Sequence, residues 1–142
     1  LQNTMRDPGF EVAATPESLQ IRLRENVAGL SLKTATRDRD GAVYLDDSYE
    51  IIVALPGRDY RHYVVNSAGT VYDGIKMDGG WNGSATVSSR IADGIWTLEL
   101  RIPAADLGLA AFAPAGKSPC HSRNPYPYCG DATSVGVRPL AK

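Results

Sequence analysis

The stretch "SATVSSRIADGIWTLELRI" (Ser84 to Ile102) decides the fold class, because it holds two alternating segments joined by a short turn. Alternation with a period of two puts every second side chain on one face of a half-buried strand. Asp93-Gly94 within Ala92-Asp93-Gly94 is a dipeptide that tight hairpin turns favour. The stretch therefore predicts an antiparallel hairpin whose second strand faces the core with Trp96, Leu98, Leu100 and Ile102.

The same period recurs in "LQIRLR" (Leu19 to Arg24) and "SYEIIVAL" (Ser48 to Leu55). "YRHYVVNSAGTVYDG" (Tyr60 to Gly74) reads as two further strands folded back across Ser-Ala-Gly. Several short strands separated by turn residues predict an all-β protein, an antiparallel, jelly-roll-like β-sandwich.

Helical structure is expected in two short places only. "PESL" (Pro16 to Leu19) is compatible with a single turn. "PAADLGL" (Pro103 to Leu109) has proline at a first helical position and Gly108 as a stop signal, so it predicts a short helical turn after the strand that ends in Ile-Pro.

The composition predicts one domain over residues 1–142, with 1–18 as a possible extended arm and 110–131 as a long loop. The 15 basic and 16 acidic residues leave a net charge of −1, without the basic excess of a nucleic-acid-binding protein. No run approaches about 18 apolar residues, so no membrane insertion is expected.

Two cysteines, Cys120 and Cys129, flank the loop "HSRNPYPY". A metal or redox pair is one interpretation, but the spacing is not Cys-x-x-Cys and the loop is rich in proline. The pattern favours a disulfide that closes the loop, and with it an oxidising location: secreted, extracellular, bacterial cell-surface or periplasmic. "NGS" at Asn82, a glycosylation sequon, points the same way.

The disulfide gives a first testable prediction. Closing a loop this short is expected to stabilise the fold by about 2–3 kcal/mol, because it restricts the unfolded chain. Alkylation of the native protein without reductant should label neither Cys120 nor Cys129, and labelling of both thiols would contradict the prediction.

Catalytic patterns are missing from the sequence. His62 and His121 are the only histidines, and no Gly-x-Ser-x-Gly or His-Glu-x-x-His motif occurs. The chain is therefore expected not to be an enzyme. His62 alternates with Tyr63 and Val65, so it should point away from the core, either as a sheet-surface histidine or as a ligand contact.

Carboxylates concentrate in "DRDGAVYLDDSYE" (Asp38 to Glu50). The full twelve-residue calcium loop with its closing glutamate is absent. Solvated turn carboxylates are one interpretation, and a structural calcium ion is the other. No further cofactor is expected. The calcium hypothesis would use Asp38, Asp40, Asp46 and Asp47.

Aromatic residues outside the core are the main indication of a ligand. Flat rings near turns can stack on the apolar face of a sugar while polar groups bind its hydroxyls. The alternative is that these rings pack at the ends of the sheets. The residues concerned are Tyr44, Tyr60, Tyr72, Trp81, Tyr126 and Tyr128.

Three segments in order, "VYLDDSYEIIV", "HYVVNSAGTVYDG" and "WNGSATVSSRIADGIWTLELRIPAADLGL", resemble the family 9 carbohydrate-binding modules and their DOMON-like relatives. The resemblance covers roughly Leu19 to Leu109. It implies a β-sandwich without catalytic activity that holds a glycan between two aromatic rings. The implied ligand-binding residues are Tyr44 and Glu50 on one strand, His62 on the neighbouring hairpin, and Asn124, Tyr126 and Tyr128 in the late loop.

The sequence also departs from that family. Tyrosine replaces tryptophan at both stacking positions, and the last strands shorten to "ATSVGVRP" (Ala132 to Pro139). A sandwich short of strands leaves open edges, which a neighbouring subunit can complete by strand addition. An extracellular filament or surface assembly is therefore the alternative function, a homopolymer joined by Leu1 to Val12 and anchored by Phe10 and Val12.

Overall fold

The structure, a computed structural model, describes residues 9–112, 128–129 and 133–139, the last two ranges by their backbone pairing. Its strands are β1 (Gly9–Ala14), β2 (Ser18–Asn26), β3 (Ser48–Ala54), β4 (Arg61–Asn66), β5 (Val71–Ile75), β6 (Thr86–Ala92), β7 (Ile95–Pro103), β8 (Tyr128–Cys129) and β9 (Thr133–Pro139).

These strands form two antiparallel sheets. Sheet A has the order β1-β2-β7-β6, and sheet B has the order β5-β4-β3-β9-β8. Apolar side chains of both sheets meet in one buried cluster, which makes the fold a β-sandwich and confirms the predicted all-β class.

The core follows the alternation of the sequence. In β7 the residues Trp96, Leu98, Leu100 and Ile102 are all buried, as the period of two predicts. The Trp96 ring packs on Tyr49 of the opposite sheet with a centroid separation of 4.9 Å. This pair joins the two sheets across the core.

Both predicted hairpins are present. Asp93 and Gly94 join β6 to β7 with φ angles of 51° and 72°, the left-handed pair that a two-residue turn requires. In the β4–β5 turn, the side-chain oxygen of Asn66 accepts hydrogen bonds from the amides of Ala68 (3.1 Å) and Thr70 (2.9 Å). The local sequence thus fixes both strand registers.

Helical structure is limited to two 3₁₀ turns, Val43–Leu45 and Ala104–Leu107. The second confirms the predicted turn after Pro103, and Gly108 ends it with a φ of 74°. Among the residues that the structure describes, no helix has the length and apolar character needed to cross a membrane.

The prediction of a helical turn at "PESL" is wrong. Pro16 and Glu17 form a bend, and β2 begins at Ser18. Their carbonyl groups accept hydrogen bonds from distant amides, Pro16 from Phe112 (2.9 Å) and Glu17 from Ala104 (2.8 Å). These long-range bonds use the carbonyls that a helical turn would need.

Part of the expected N-terminal arm also belongs to the sandwich. Residues 9–14 form β1, which pairs with β2 as an outer strand of sheet A. Phe10 and Val12, the expected anchors of a donated strand, lie opposite Leu23 and Ile21 of the same chain and pack against the core. Residues 1–8 lie outside the described residues.

Candidate functional site

Tyr44 lies in the 3₁₀ turn that leads into β3. Val43 before it is fully buried, whereas 56% of Tyr44 is exposed. In the described part of the chain, the Tyr44 side chain makes no hydrogen bond and no ring contact. The turn therefore presents a flat ring to solvent while its neighbour anchors the backbone.

Asp46 fixes the other side of this turn. Its carboxylate accepts hydrogen bonds from the amides of Ala35 (3.1 Å) and Thr36 (2.8 Å) and from the Asn66 side chain (3.0 Å). Burial raises the pKa of Asp46, but the hydrogen bonds from Thr36, Asn66 and Ala35 prevail and lower it to about 2. Asp46 is therefore ionised at neutral pH and holds Ala35 and Thr36 next to Asn66 of β4.

Glu50 and His62 form the polar pair that the site prediction brings together. The Glu50 Oε1 and His62 Nε2 atoms are 2.8 Å apart across β3 and β4. The edge of the His62 ring meets Tyr72 of β5 at a centroid distance of 5.6 Å. Two adjacent strands and the Tyr72 ring of a third strand thus hold the pair in place.

The position of His62 agrees with the sequence, but its environment does not. The side chain lies on the face opposite Tyr63 and Val65, as the alternation predicts. It is nevertheless buried, with only 6% exposed, so the interpretation as an exposed sheet-surface histidine is wrong. Pairing with Glu50 explains this, because a buried imidazole needs a polar partner. Among the described residues, its Nδ1 atom has no hydrogen-bond partner.

The four carboxylates of the calcium hypothesis do not come together. Asp46 and Asp47 bind backbone amides instead, with Asp47 accepting from Lys33 at 2.5 Å. Asp40 accepts from the amide of Asp73 (3.2 Å), and Asp38 is exposed. No three His, Cys, Asp or Glu side chains within the described ranges are placed to hold a metal ion. Three of the four carboxylates expected on calcium, those of Asp40, Asp46 and Asp47, accept hydrogen bonds from backbone amides instead.

The other aromatic residues predicted to contact a ligand are either partly buried or lie outside the described residues. Trp81 packs against the core, and the Arg61 guanidinium lies 5.2 Å from its ring centre. Tyr60 and Tyr72 are half-buried. Tyr44 is thus the most exposed aromatic side chain in the described part of the chain.

Several predicted positions fall on the late segment. Cys120, Asn124 and Tyr126 lie outside the described residues, as do the side chains of Tyr128 and Cys129. The backbone of Tyr128 and Cys129 forms β8, which pairs with β9, and β9 pairs with β3. The end of the predicted late loop therefore joins the same sheet as Glu50 and His62.

The sequon residue Asn82 is exposed and lies in the segment between β5 and β6. Its side-chain oxygen accepts a hydrogen bond from Arg39 Nε (3.0 Å). Arg39 also donates to the buried carboxylate of Asp73 (2.6 Å). Burial raises the pKa of Asp73, against the opposing effects of the Gly83 amide and Arg39.

Sequence reasoning missed the role of Asn66. This fully buried residue donates to Asp46 and to the carbonyl of Thr36 (2.9 Å), so it links the hairpin to the turn that carries Tyr44. An asparagine directly before a Ser-Ala-Gly turn is a detectable signal for side-chain capping of the turn. Its partner Asp46, however, lies 20 residues earlier, beyond any local pattern.

No protein-family model matches the chain, and no curated protein matches it. Among solved structures, the chain is similar to a "putative carbohydrate-binding protein" from Bacteroides uniformis ATCC 8492, with a TM-score of 0.59 and 18% sequence identity. The similarity covers 96% of this chain and 72% of that one. It shows a shared fold across nearly the whole sequence.

Proposed function

We propose that the chain is a non-catalytic carbohydrate-binding module of the family 9 type, in which Tyr44 stacks on the face of a sugar. The observation that carries the proposal is the exposed ring of Tyr44 on a turn that the buried residues Val43 and Asp46 anchor. The fold shared with a protein described as carbohydrate-binding supports the same class of ligand.

The turn suits this role because its backbone is already ordered. Val43 is buried before Tyr44, and Asp46 is hydrogen-bonded to three donors after it. Because the backbone is already fixed, only the side-chain torsions of Tyr44 lose conformational entropy when a ligand binds. A tyrosine has a flat apolar face and a hydroxyl at its edge, which matches a sugar ring.

The Glu50–His62 pair supplies the polar part of the proposed site. Carboxylate and imidazole groups form charge-assisted hydrogen bonds that can discriminate between sugar hydroxyls. Glu50 is 8% exposed and His62 is 6% exposed, so a ligand would reach each of them only through this small exposed fraction. Asn124, Tyr126 and Tyr128 are proposed to complete the site from the late segment.

Replacing Tyr44 with alanine tests the stacking. We expect glycan affinity to fall about tenfold, because aromatic stacking contributes about 0.5–1.5 kcal/mol beyond burial. The melting temperature should stay nearly constant, since the side chain is exposed. Isothermal titration against the best ligand from a broad glycan screen measures the effect.

Leu45→Ala is the matched control, because Leu45 is 53% exposed on the same turn. It should leave the affinity unchanged. Glu50→Gln should weaken binding less than Tyr44→Ala, since it keeps the shape and loses only charge-assisted bonds. Equal effects of the Tyr44 and Leu45 variants, or no glycan binding at millimolar concentration, would refute the proposal.

The location remains a proposal as well. We propose an extracellular, cell-surface or periplasmic location, which depends on the predicted Cys120–Cys129 disulfide. Assembly by a donated N-terminal strand gains no support from the described residues, because β1 occupies the edge of its own sheet.

A further inference from the structure

The outer face of sheet A is a continuous polar surface, and the turn that carries Tyr44 leads into a strand of the other sheet. Antiparallel registers align the side chains of this outer face in three rows that cross all four strands. The rows are Ala13–Gln20–Arg101–Thr86, Glu11–Arg22–Glu99–Ser88 and Gly9–Arg24–Thr97–Arg90.

This face is hollowed. A depression of about 490 Å³ covers the first two rows, and a second of about 440 Å³ extends it past Gly9 and Arg24. Glu11 and Arg22 line both, so the two depressions adjoin. Together they form an open groove across the sheet, the shape that an extended polymer chain can follow.

The outer face of sheet A is basic although the whole chain has a net charge of −1. The lining of the two depressions is itself balanced, with Arg22, Arg24 and Arg101 against Glu11, Glu25 and Glu99. The three rows of the face contain four arginines and two glutamates. Both glutamates form ion pairs with Arg22, with nitrogen–oxygen distances of 2.9 Å to Glu99 and 3.8 Å to Glu11. Arg101 donates to the hydroxyl of Ser18 (3.1 Å). The acidic groups of the face are thus already paired.

Two arginines of this face, Arg24 and Arg90, have no polar partner in the described part of the chain: both are exposed, and neither makes a hydrogen bond or an ion pair there. They flank Thr97 on the two strands next to β7, so their backbones lie about 10 Å apart. Glu25, which lines the second depression, is engaged by the Tyr49 hydroxyl.

We propose that this face binds an anionic polysaccharide that follows the groove, with Arg24 in the groove and Arg90 beside it each holding a carboxylate or sulfate group. A guanidinium binds such groups through two parallel hydrogen bonds. Thr86, Ser88, Thr97 and Gln20 supply hydroxyl and amide groups for sugar hydroxyls. The three rows contain no aromatic residue, so the face lacks the stacking platform of single-stranded nucleic-acid binding. This site is independent of Tyr44.

The test measures binding to polygalacturonate (carboxylates) and to chondroitin sulfate (sulfates and carboxylates), with neutral dextran as reference. We expect one or both anionic polymers to bind, and the affinity to fall as salt rises. Arg24→Ala and Arg90→Ala should each weaken it about tenfold, the effect of losing one charged hydrogen-bonding group. Arg24→Lys should recover only part of the affinity, because lysine lacks the planar fork.

Arg58→Ala is the matched control, an exposed arginine on the β3–β4 connection with the same change in charge. It should leave binding unchanged, and so should Tyr44→Ala. If Tyr44→Ala loses binding of neutral glycan but keeps binding of the anionic polymer, the two sites are separate. The proposal is overturned if neither anionic polymer binds at low salt, if Arg58→Ala weakens binding as much as Arg24→Ala, or if single-stranded DNA binds equally well.

Discussion

Trp96→Ala is expected to lower the free energy of unfolding by about 3–5 kcal/mol, because it empties a fully enclosed site. Only 3% of Trp96 is exposed, and its ring packs on Tyr49 between the two sheets. Its Nε1 atom donates to the Ser89 hydroxyl at 2.9 Å, so the substitution also leaves that group without its donor. Guanidinium denaturation measures the difference directly.

Trp96→Phe is the graded control. It keeps a ring against Tyr49 but loses the hydrogen bond to Ser89, so it should cost clearly less than the alanine variant. For a chain of this size, the alanine variant should melt roughly 10 °C lower than the wild type. A melting temperature within a degree or two of the wild type would show that Trp96 does not fill the core.

The sandwich was predictable because its strands bury one face only. In β2 and β7 apolar residues alternate strictly, so the pattern identifies the core side without knowledge of the partner sheet. The Asp93-Gly94 turn is similarly local, since both residues adopt the left-handed conformation that this dipeptide favours.

The sequence predictions are wrong where contacts with distant segments override the local conformational preference. "PESL" has the composition of a helical turn, but Ala104 and Phe112 bind its carbonyl groups and impose a bend. His62 alternates like a surface residue, yet Glu50 lies directly within reach on the next strand. Sequence periodicity gives the face of a strand, while burial depends on what covers that face.

The candidate site was predictable in part for the same reason. Tyr44 precedes a strand and follows a buried valine, so its exposure is a local property. The support beneath it is not local, because Asp46 reaches Ala35 and Thr36 before it and Asn66 after it. A cluster of acidic residues in a sequence is equally consistent with a calcium site and with carboxylates that cap a loop. Only the positions of the hydrogen-bond donors around the carboxylates distinguish the two.

Asp46→Asn is expected to be the second largest change, at about 2–4 kcal/mol, because it breaks a buried set of charge-assisted hydrogen bonds. In either orientation the new amide nitrogen would face an N–H donor, that of Ala35 at one oxygen position or those of Thr36 and Asn66 at the other. The turn carrying Tyr44 should lose order with them. Glycan affinity is therefore expected to fall even though Asp46 touches no ligand. Chemical denaturation and titration measure the two effects.

The same carboxylate should make stability depend on pH. Hydrogen bonding lowers the folded pKa of Asp46 from 3.8 to about 2, so the ionised form favours the folded state. Its contribution is complete above the unfolded pKa and is lost as the pH falls from about 4 to about 2. Because the neighbouring residues Lys33 and Ala35 are exposed, solvent screening reduces the contribution to about 1–2 kcal/mol.

Denaturation of the wild type, Asp46→Asn and Asp38→Asn across that pH range separates this effect from general acid unfolding. Asp38 is exposed, and in the described part of the chain its side chain accepts no hydrogen bond, so it is the matched control. The wild type and Asp38→Asn should lose stability in parallel, and Asp46→Asn should show a shallower slope between pH 4 and pH 2, a window set by the two pKa values. Equal slopes in all three proteins would mean that Asp46 does not hold the turn through its charge.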